Sequence, residues 1–489
     1  MNASSTSAAN ADTGGMPEKN YKSVLMVLIS LFFMWGFITC MNDILIPFLK
    51  KAFDLSRSQS MLVQFSFFMA YFVGSLVYFI VSVRSGDPIS RIGYKKGLIA
   101  GLLLSALGCT LFYPAAELKM YGLFLSALFI LGLGFTLLQI AANPYVAILG
   151  PAKSASSRLN LSQGFNSFGT TIAPIVGGYL IFHFFAKMGS PLLDKLGNPI
   201  EIEAGNYMSA MGVQLPYLIF AAIFVILAIV IYFTKLPNFS EEGESLKGMG
   251  ALKHRHLVLG MVAIFMYVGG EVSIGSVLIN YIQETLGFSE MHAKTFLALY
   301  WGGSMIGRFL GAVSLGSLDN TRKSLLMVGI SIAAFLLIYS IIYAESGMSF
   351  TTIAPFIIFM VLNLIAFRLG SSKASRTLLV FALIVVSLLC LTMLSSGIFA
   401  IWCVLGIGLF NSIMWSNIFT LAIKDLGKYT SQASSLLVMM ILGGALIPLI
   451  QASIADAIGG YHYSFFLPII CYLYLAYYGW KGCKVKKLQ

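Results

Sequence analysis

Two carboxylates and one arginine stand inside apolar runs that leave little room for charge. Asp43 follows Asn42 within the run 22–49, Glu271 closes Tyr267-Val268-Gly269-Gly270-Glu271, and Arg308 lies in Gly307-Arg308-Phe309-Leu310-Gly311. In a bilayer each such charge near the centre costs on the order of 3 kcal/mol, so those that persist face protein or water. A buried carboxylate can take up a proton, or hold sodium beside amide oxygens such as Asn42 or Gln139. The competing reading for either carboxylate alone is a structural hydrogen-bond partner. Arg308, three residues from a close-packing glycine and near a run's end, either snorkels, pairs with a carbonyl or serves as a gating residue.

Uncharged polar groups add a second pattern. Gln139 and Asn143 are four apart, Asn160, Gln163 and Asn166 step by three, and Asn411 and Trp415 are four apart with Asn417 close by. Each set falls on one face of a helix. An amide donates and accepts, as a sugar hydroxyl does. With Tyr145, Tyr267, Tyr300, Trp301 and Trp415 as flat apolar faces, the pattern suits a cavity for a neutral polyol. Gln139, Asn143, Gln163, Asn166, Asn411 and Trp415 are therefore the candidate substrate residues, against the plainer reading of polar glue between helices. No HExxH, GxSxG or GxxxxGK[ST] occurs, and the five His are dispersed. Metal catalysis and nucleotide hydrolysis have no visible apparatus, and the chain reads as no enzyme and as needing no cofactor. The six Cys lie mostly inside apolar runs with no CxxC, which indicates neither a disulfide framework nor a metal site.

The elements that must position these residues follow from composition. Of 489 residues 58% are hydrophobic and 10% charged, where a soluble domain carries roughly a quarter. A mean hydropathy of +0.87 excludes disorder, and unbroken apolar runs exclude an alternating β-barrel. Runs of about 20 residues predict helices near 22–49, 61–83, 97–116, 120–149, 159–186, 214–234, 256–283, 295–318, 324–343, 352–367, 377–394, 399–423, 433–455 and 464–480. The expected fold is thus all-α, with fourteen spans. The net charge of +12 sits in short clusters between runs, which argues for topology and against nucleic acid. With the N-terminus inside, 23 of the 31 Lys and Arg fall in cytoplasmic segments and 7 outside, Arg308 lying within a span. Both termini are then cytoplasmic. The expected organisation is a disordered tail over 1–19, a six-helix bundle over 20–236, a polar linker over 237–254, a second bundle over 255–482 and a basic tail over 483–489.

The segment Gly86-Asp87-Pro88-Ile89-Ser90-Arg91-Ile92-Gly93-Tyr94-Lys95-Lys96 resembles the cytoplasmic loop motif of the major facilitator superfamily, with Ser90 in place of its usual Asp. Asn42-Asp43-Ile44-Leu45, Ala141-Ala142-Asn143-Pro144-Tyr145-Val146 and the run from Arg158 to Gly169 (RLNLSQGFNSFG) are more specific. They are similar to the fucose, galactose and glucose:cation symporter family of that superfamily, over about residues 25–480. The resemblance implies two six-helix bundles of inverted repeats around a midplane sugar site, with alternating access, in a bacterial inner membrane and as a monomer. Its implied residues are Asp43 as the first-helix acidic position and Arg91 as a gating residue. Where fucose:proton members carry an essential Glu this chain has Gln139, and where they have an amide it has Glu271. The expected activity is symport of a glucose- or galactose-like monosaccharide with a proton or sodium ion, coupled through Asp43, Glu271 and Asn42. A passive facilitator, and a membrane enzyme or non-transporting sensor, are the alternatives. Fourteen spans exceed twelve by two, and an inserted pair over 324–368 preserves orientation.

Single cysteines at Glu345 and Ser396 should label from outside, and at Lys373 and Lys428 only from inside. Inside labelling at 345 with outside labelling at 373 reverses the assignment.

Overall fold

The computed structural model describes residues 18–55, 57–193, 197–203, 206–237, 247–288 and 290–485. The expected disordered tail lies outside these residues up to position 17, and a helix already begins at Glu18. A chain in lipid must satisfy its backbone N–H and C=O groups within itself, and helices do so locally. The first bundle holds α1 (Glu18–Ala52), α2 (Arg57–Ser85), the short α3 (Pro88–Ile92), α4 (Tyr94–Thr110), α5 (Phe112–Glu117), α6 (Tyr121–Ile148), α7 (Ala155–Tyr179) and α8 (Met211–Phe233). The second holds α9 (Arg255–Leu286), α10 (Glu290–Ser314), α11 (Asn320–Ser346), α12 (Phe350–Ile353), α13 (Phe356–Gly370), α14 (Ala374–Leu394), α15 (Gly397–Asn411), α16 (Met414–Ala422), α17 (Thr430–Met439), α18 (Gly443–Ile458) and α19 (Phe466–Tyr477). A small antiparallel hairpin, β1 (Glu201–Glu203) with β2 (Asn206–Tyr207), interrupts the expected all-α pattern in the segment before α8.

Among the described residues twelve helices, not fourteen, are long and apolar enough to cross a membrane. The two expected spans outside that set, 159–186 and 464–480, are nevertheless helical. α7 falls short because Asn160, Gln163, Asn166 and several Ser and Thr lower its apolarity. α19 falls short because it has 12 residues before a wider helical turn, Tyr478–Gly482, continues it.

The packing of the first bundle is repeated in the second. α1 packs on α7, α2 on α6, and α4 on both α6 and α8; correspondingly α9 packs on α18, α10 on α15, and α14 on both α15 and α19. α11, α12 and α13 have no counterpart in this scheme. α11 packs on α10, and α13 on α10, α14 and α15. The bundles meet where α7 packs on α10 and α16, and where α17 packs on α2 and α6. Gly248 of the linker bonds Val83 at the end of α2 (2.9 Å), and the Tyr478 hydroxyl after α19 bonds the His256 carbonyl at the start of α9 (3.1 Å). Linker and helix ends share one face, called here the terminal face.

Lipid tails are as apolar as leucine, so these crossings depend on close approach rather than on hydrophobic exclusion. Gly36 of α1 lies against the Asn166 carbonyl of α7, and Gly408 of α15 against the Tyr300 carbonyl of α10; a Cβ at either would collide with backbone. Gly408→Val should therefore lower the melting temperature of the detergent-solubilised protein by several degrees or abolish its folded yield. Gly178→Ala, where nothing lies within 4 Å, should match the parent, and equal behaviour of the two variants would contradict this packing.

Candidate functional site

Glu271 lies halfway along α9 and is 7% exposed. Arg308 of α10 places Nη2 3.8 Å from its Oε1. Arg308 does not snorkel. Its Nε donates to the Ser412 carbonyl (3.3 Å), and Nη1 reaches across the bundle boundary to Ser167 Oγ on α7. The pairing with a carbonyl read from the sequence is present, together with an ion pair that spacing alone does not reveal. Tyr267, one turn before Glu271, adds its hydroxyl beside the pair.

Ser412 belongs to a break. The apolar run 399–423 folds as two helices, α15 ending at Asn411 and α16 starting at Met414. The last carbonyls of a helix lack partners further along, and here side chains supply donors: Ser304 to Gly408 (2.9 Å), Ser412 to Leu409 (2.7 Å) and Arg308 to Ser412. Two predicted residues flank the break. Asn411 donates Nδ2 to Tyr300 Oη (2.8 Å) and accepts at Oδ1 from Tyr472 Oη (2.6 Å), while Tyr300 donates onward to the Glu271 carbonyl (3.0 Å). Trp415 is buried with its indole N–H unpartnered. Asn411, Glu271 and Arg308 thus share one polar network. Tyr472 and Ser412 were missed from sequence, being ordinary residues whose roles depend on which helices cross.

In the first bundle Gln139 of α6 is buried beside the Tyr71 hydroxyl of α2, which receives Trp35 Nε1 of α1 (3.3 Å). Asn143, one turn on, is fully buried with neither amide atom partnered. On α7 the polar stripe divides. Asn166 donates to the Phe32 carbonyl (3.0 Å) and ties α7 to α1. Gln163 is buried and lies one turn before Ser167, the residue that meets Arg308. Asn160 crosses to Asn417 of α16 (3.2 Å). Asn42 and Asp43 fall in α1, and their side chains lie outside the described residues.

Further cross-bundle bonds gather toward the terminal face. Ser156 meets Thr420 (2.6 Å), Ser431 donates to Tyr94 Oη (3.2 Å), and Gln432 Nε2 donates to Ser82 Oγ (3.1 Å) and the Gly248 carbonyl (3.1 Å). Asp87 caps α3, accepting from Ile89 N (2.9 Å), Ser90 N (3.3 Å) and Tyr78 Oη (2.6 Å). Burial pushes its carboxyl above the usual range, opposed by those donors. Arg91 is exposed and bonds the Ser85 carbonyl of its own connection. The cross-bundle contacts named toward this face thus come from Ser, Thr, Asn, Gln and Tyr94, while Arg91 bonds within its own connection.

The sequence profile of the Major Facilitator Superfamily matches residues 25–367. A glucose/galactose transporter of Brucella abortus is 42% identical over 96% of both chains. An L-fucose-proton symporter of Escherichia coli is 32% identical over 95% of this chain and 94% of that one. Among solved structures, the superfamily transporter FucP in the outward conformation superposes with a TM-score of 0.71 at 30% identity, covering 94% of this chain and 98% of that chain. The proton:xylose symporter XylE shares the fold alone, with a TM-score of 0.58 at 15% identity. Two helical bundles with matching internal packing, a buried polar network where they meet and these full-length similarities agree: the chain is a multi-pass membrane protein that belongs to the Major Facilitator Superfamily, whose relatives here are transporters and not enzymes.

Proposed function

We propose that the chain is a cation-coupled symporter of a glucose- or galactose-like hexose in a bacterial inner membrane. The observation that carries this reading is the Glu271–Arg308–Ser167 link, a buried ion pair in one bundle bonded to the other. A carboxylate so placed can exchange its guanidinium partner for a proton or a sodium ion. When it does, Arg308 is released from Glu271, and a contact across the bundle boundary changes with the ion's arrival. The amides supply the sugar side: Asn143 with both atoms unpartnered, Gln163 and Gln139 in the first bundle, Asn411 and the free indole N–H of Trp415 in the second. Asn166 contributes by holding α7 against α1. Asp43, with Asn42 beside it, is the second coupling carboxylate in this reading. The similarity to a glucose/galactose transporter along the whole chain favours hexoses over 6-deoxyhexoses.

The same proposal places both termini in the cytoplasm, on the strength of the 23 against 7 division of basic residues. It counts α7 and α19 as spans beside the twelve apolar ones, since an even number returns the chain to its starting face. α11 to α13 are then an inserted pair of spans between the second and third helices of the C-terminal bundle. The named contacts toward the terminal face describe a state closed to the cytoplasm, with Arg308 and Arg91 among the groups that rearrange when it opens.

In proteoliposomes, counterflow against hexoses, N-acetylhexosamines and 6-deoxyhexoses, with imposed proton or sodium gradients, identifies sugar and ion together. Downhill equilibration without accumulation under either gradient makes the protein a passive facilitator. Glu271→Gln keeps size and hydrogen bonding but removes the charge, so it should retain sugar exchange and lose gradient-driven accumulation. Accumulation at the parental level would falsify its coupling role. Gln163→Ala should weaken sugar binding by roughly 5- to 150-fold, the range for one buried unpaired partner. An unchanged isotherm makes Gln163 helix glue instead.

A further inference from the structure

The face that α13 buries carries one polar residue. Phe356, Phe359, Met360, Asn363, Ala366 and Phe367 are buried at helical spacing, while Ile358, Val361, Leu362 and Ile365 are exposed. An amide on a buried apolar stripe is unfavourable unless bonded. Asn363 is fully buried, and its Nδ2 donates to the Leu409 carbonyl (3.1 Å). Leu409 is two residues before Asn411, at the C-terminal end of α15, where the helix breaks. The neighbouring carbonyls at that break are held by Ser304, Ser412 and Arg308. Asn363 is therefore one of four side chains fixing the backbone that sets Asn411 and Trp415, and it comes from a helix without a counterpart in the first bundle. Around it the packing is close: Phe359 lies against Gly406 and Phe356 against Gly303.

We infer that Asn363 is a positioning residue for the substrate site, and that α11 to α13 act on the site through this bond to the break in α15 rather than only adding lipid-facing bulk. Leu409 O receives two donors, Ser412 from the adjoining break and Asn363 from α13. Losing the second lets the end of α15 relax toward Ser412 alone and shifts Asn411 and Trp415 together. α13 then sets how well the site fits, while Asn411, Trp415, Tyr300 and Tyr472 make up the site itself.

The effect on sugar rests on the reading of Asn411 and Trp415 as sugar residues, so the test carries a second readout that does not. The full-length protein is labelled with 5-fluorotryptophan, and the Trp415 fluorine resonance is assigned by its loss in Trp415→Phe. Asn363→Leu, which keeps the bulk and removes the donor, should move that resonance in the sugar-free protein. It should also raise the KM for the transported hexose roughly 3- to 20-fold, the range spanned by buried interhelical hydrogen bonds in membranes, with kcat nearly unchanged. Asn363→Gln, which restores a donor, should bring both back toward the parent. Phe359→Ala loosens the same helix without touching the Leu409 carbonyl, and should lower the melting temperature while leaving the resonance in place. An unmoved resonance in Asn363→Leu, or an equal shift in Phe359→Ala, overturns the positioning role and leaves α13 as packing. So does an unchanged KM in a parent that transports. A parent that transports no hexose instead defeats the sugar reading, and the fluorine resonance still decides whether Asn363 positions Trp415.

Discussion

An arginine and a glutamate buried among helices must compensate each other and place every spare donor, because lipid offers neither water nor counter-ions. That requirement governs the centre of this molecule. Arg308 has five donors in a fixed fork; one side meets Glu271, another the Ser412 carbonyl, another Ser167. Each partner comes from a different helix, so α9, α10, the break between α15 and α16, and α7 are held in register by one guanidinium. Removing either charge would leave the other buried and uncompensated, which is far more unfavourable than losing the pair together.

The helices can come this close because the crossings are made of small residues and backbone. Gly36 and Gly408 each rest on a carbonyl of the neighbouring helix. The same closeness allows side chains to reach carbonyls across helix boundaries, as Asn166 does to Phe32 and Asn363 to Leu409. α7 illustrates the trade. It is the polar helix of its bundle because α1, α10 and α16 surround much of it, and a more apolar α7 would lose the contacts that join the bundles.

The contacts between bundles toward the terminal face have a different chemistry. Ser156 with Thr420, Asn160 with Asn417, Ser431 with Tyr94 and Gln432 with Ser82 are neutral pairs. A neutral hydrogen bond contributes about 0.5–1.5 kcal/mol net. None of these four contacts places a charge between the bundles. Gln432 also holds the Gly248 carbonyl and the Ala251 N–H. The described end of the linker is thereby fastened to the same seam.

The sequence by itself determined the membrane class and the helical architecture, and it singled out the buried charges. Those follow from apolar run length and from the rarity of Asp43, Glu271 and Arg308 in such surroundings, which are local properties of the chain. It also isolated the amide stripes, because helical spacing is written in residue numbers. Only the tertiary structure decided what each stripe meets. Asn166 became a bridge to α1, Asn160 a contact between bundles and Asn411 the centre of a tyrosine network, although all three look alike in sequence. Asn363 drew no attention there, as one amide in an apolar run, and Arg308 was open to snorkelling, to a carbonyl partner or to gating. Their partners are carbonyls and side chains 46 and 104 residues away for Asn363 to Leu409 and Arg308 to Ser412. Periodicity reports which face of a helix is polar, whereas the partner depends on which helices cross and how closely, and glycine contacts with distant backbone set that.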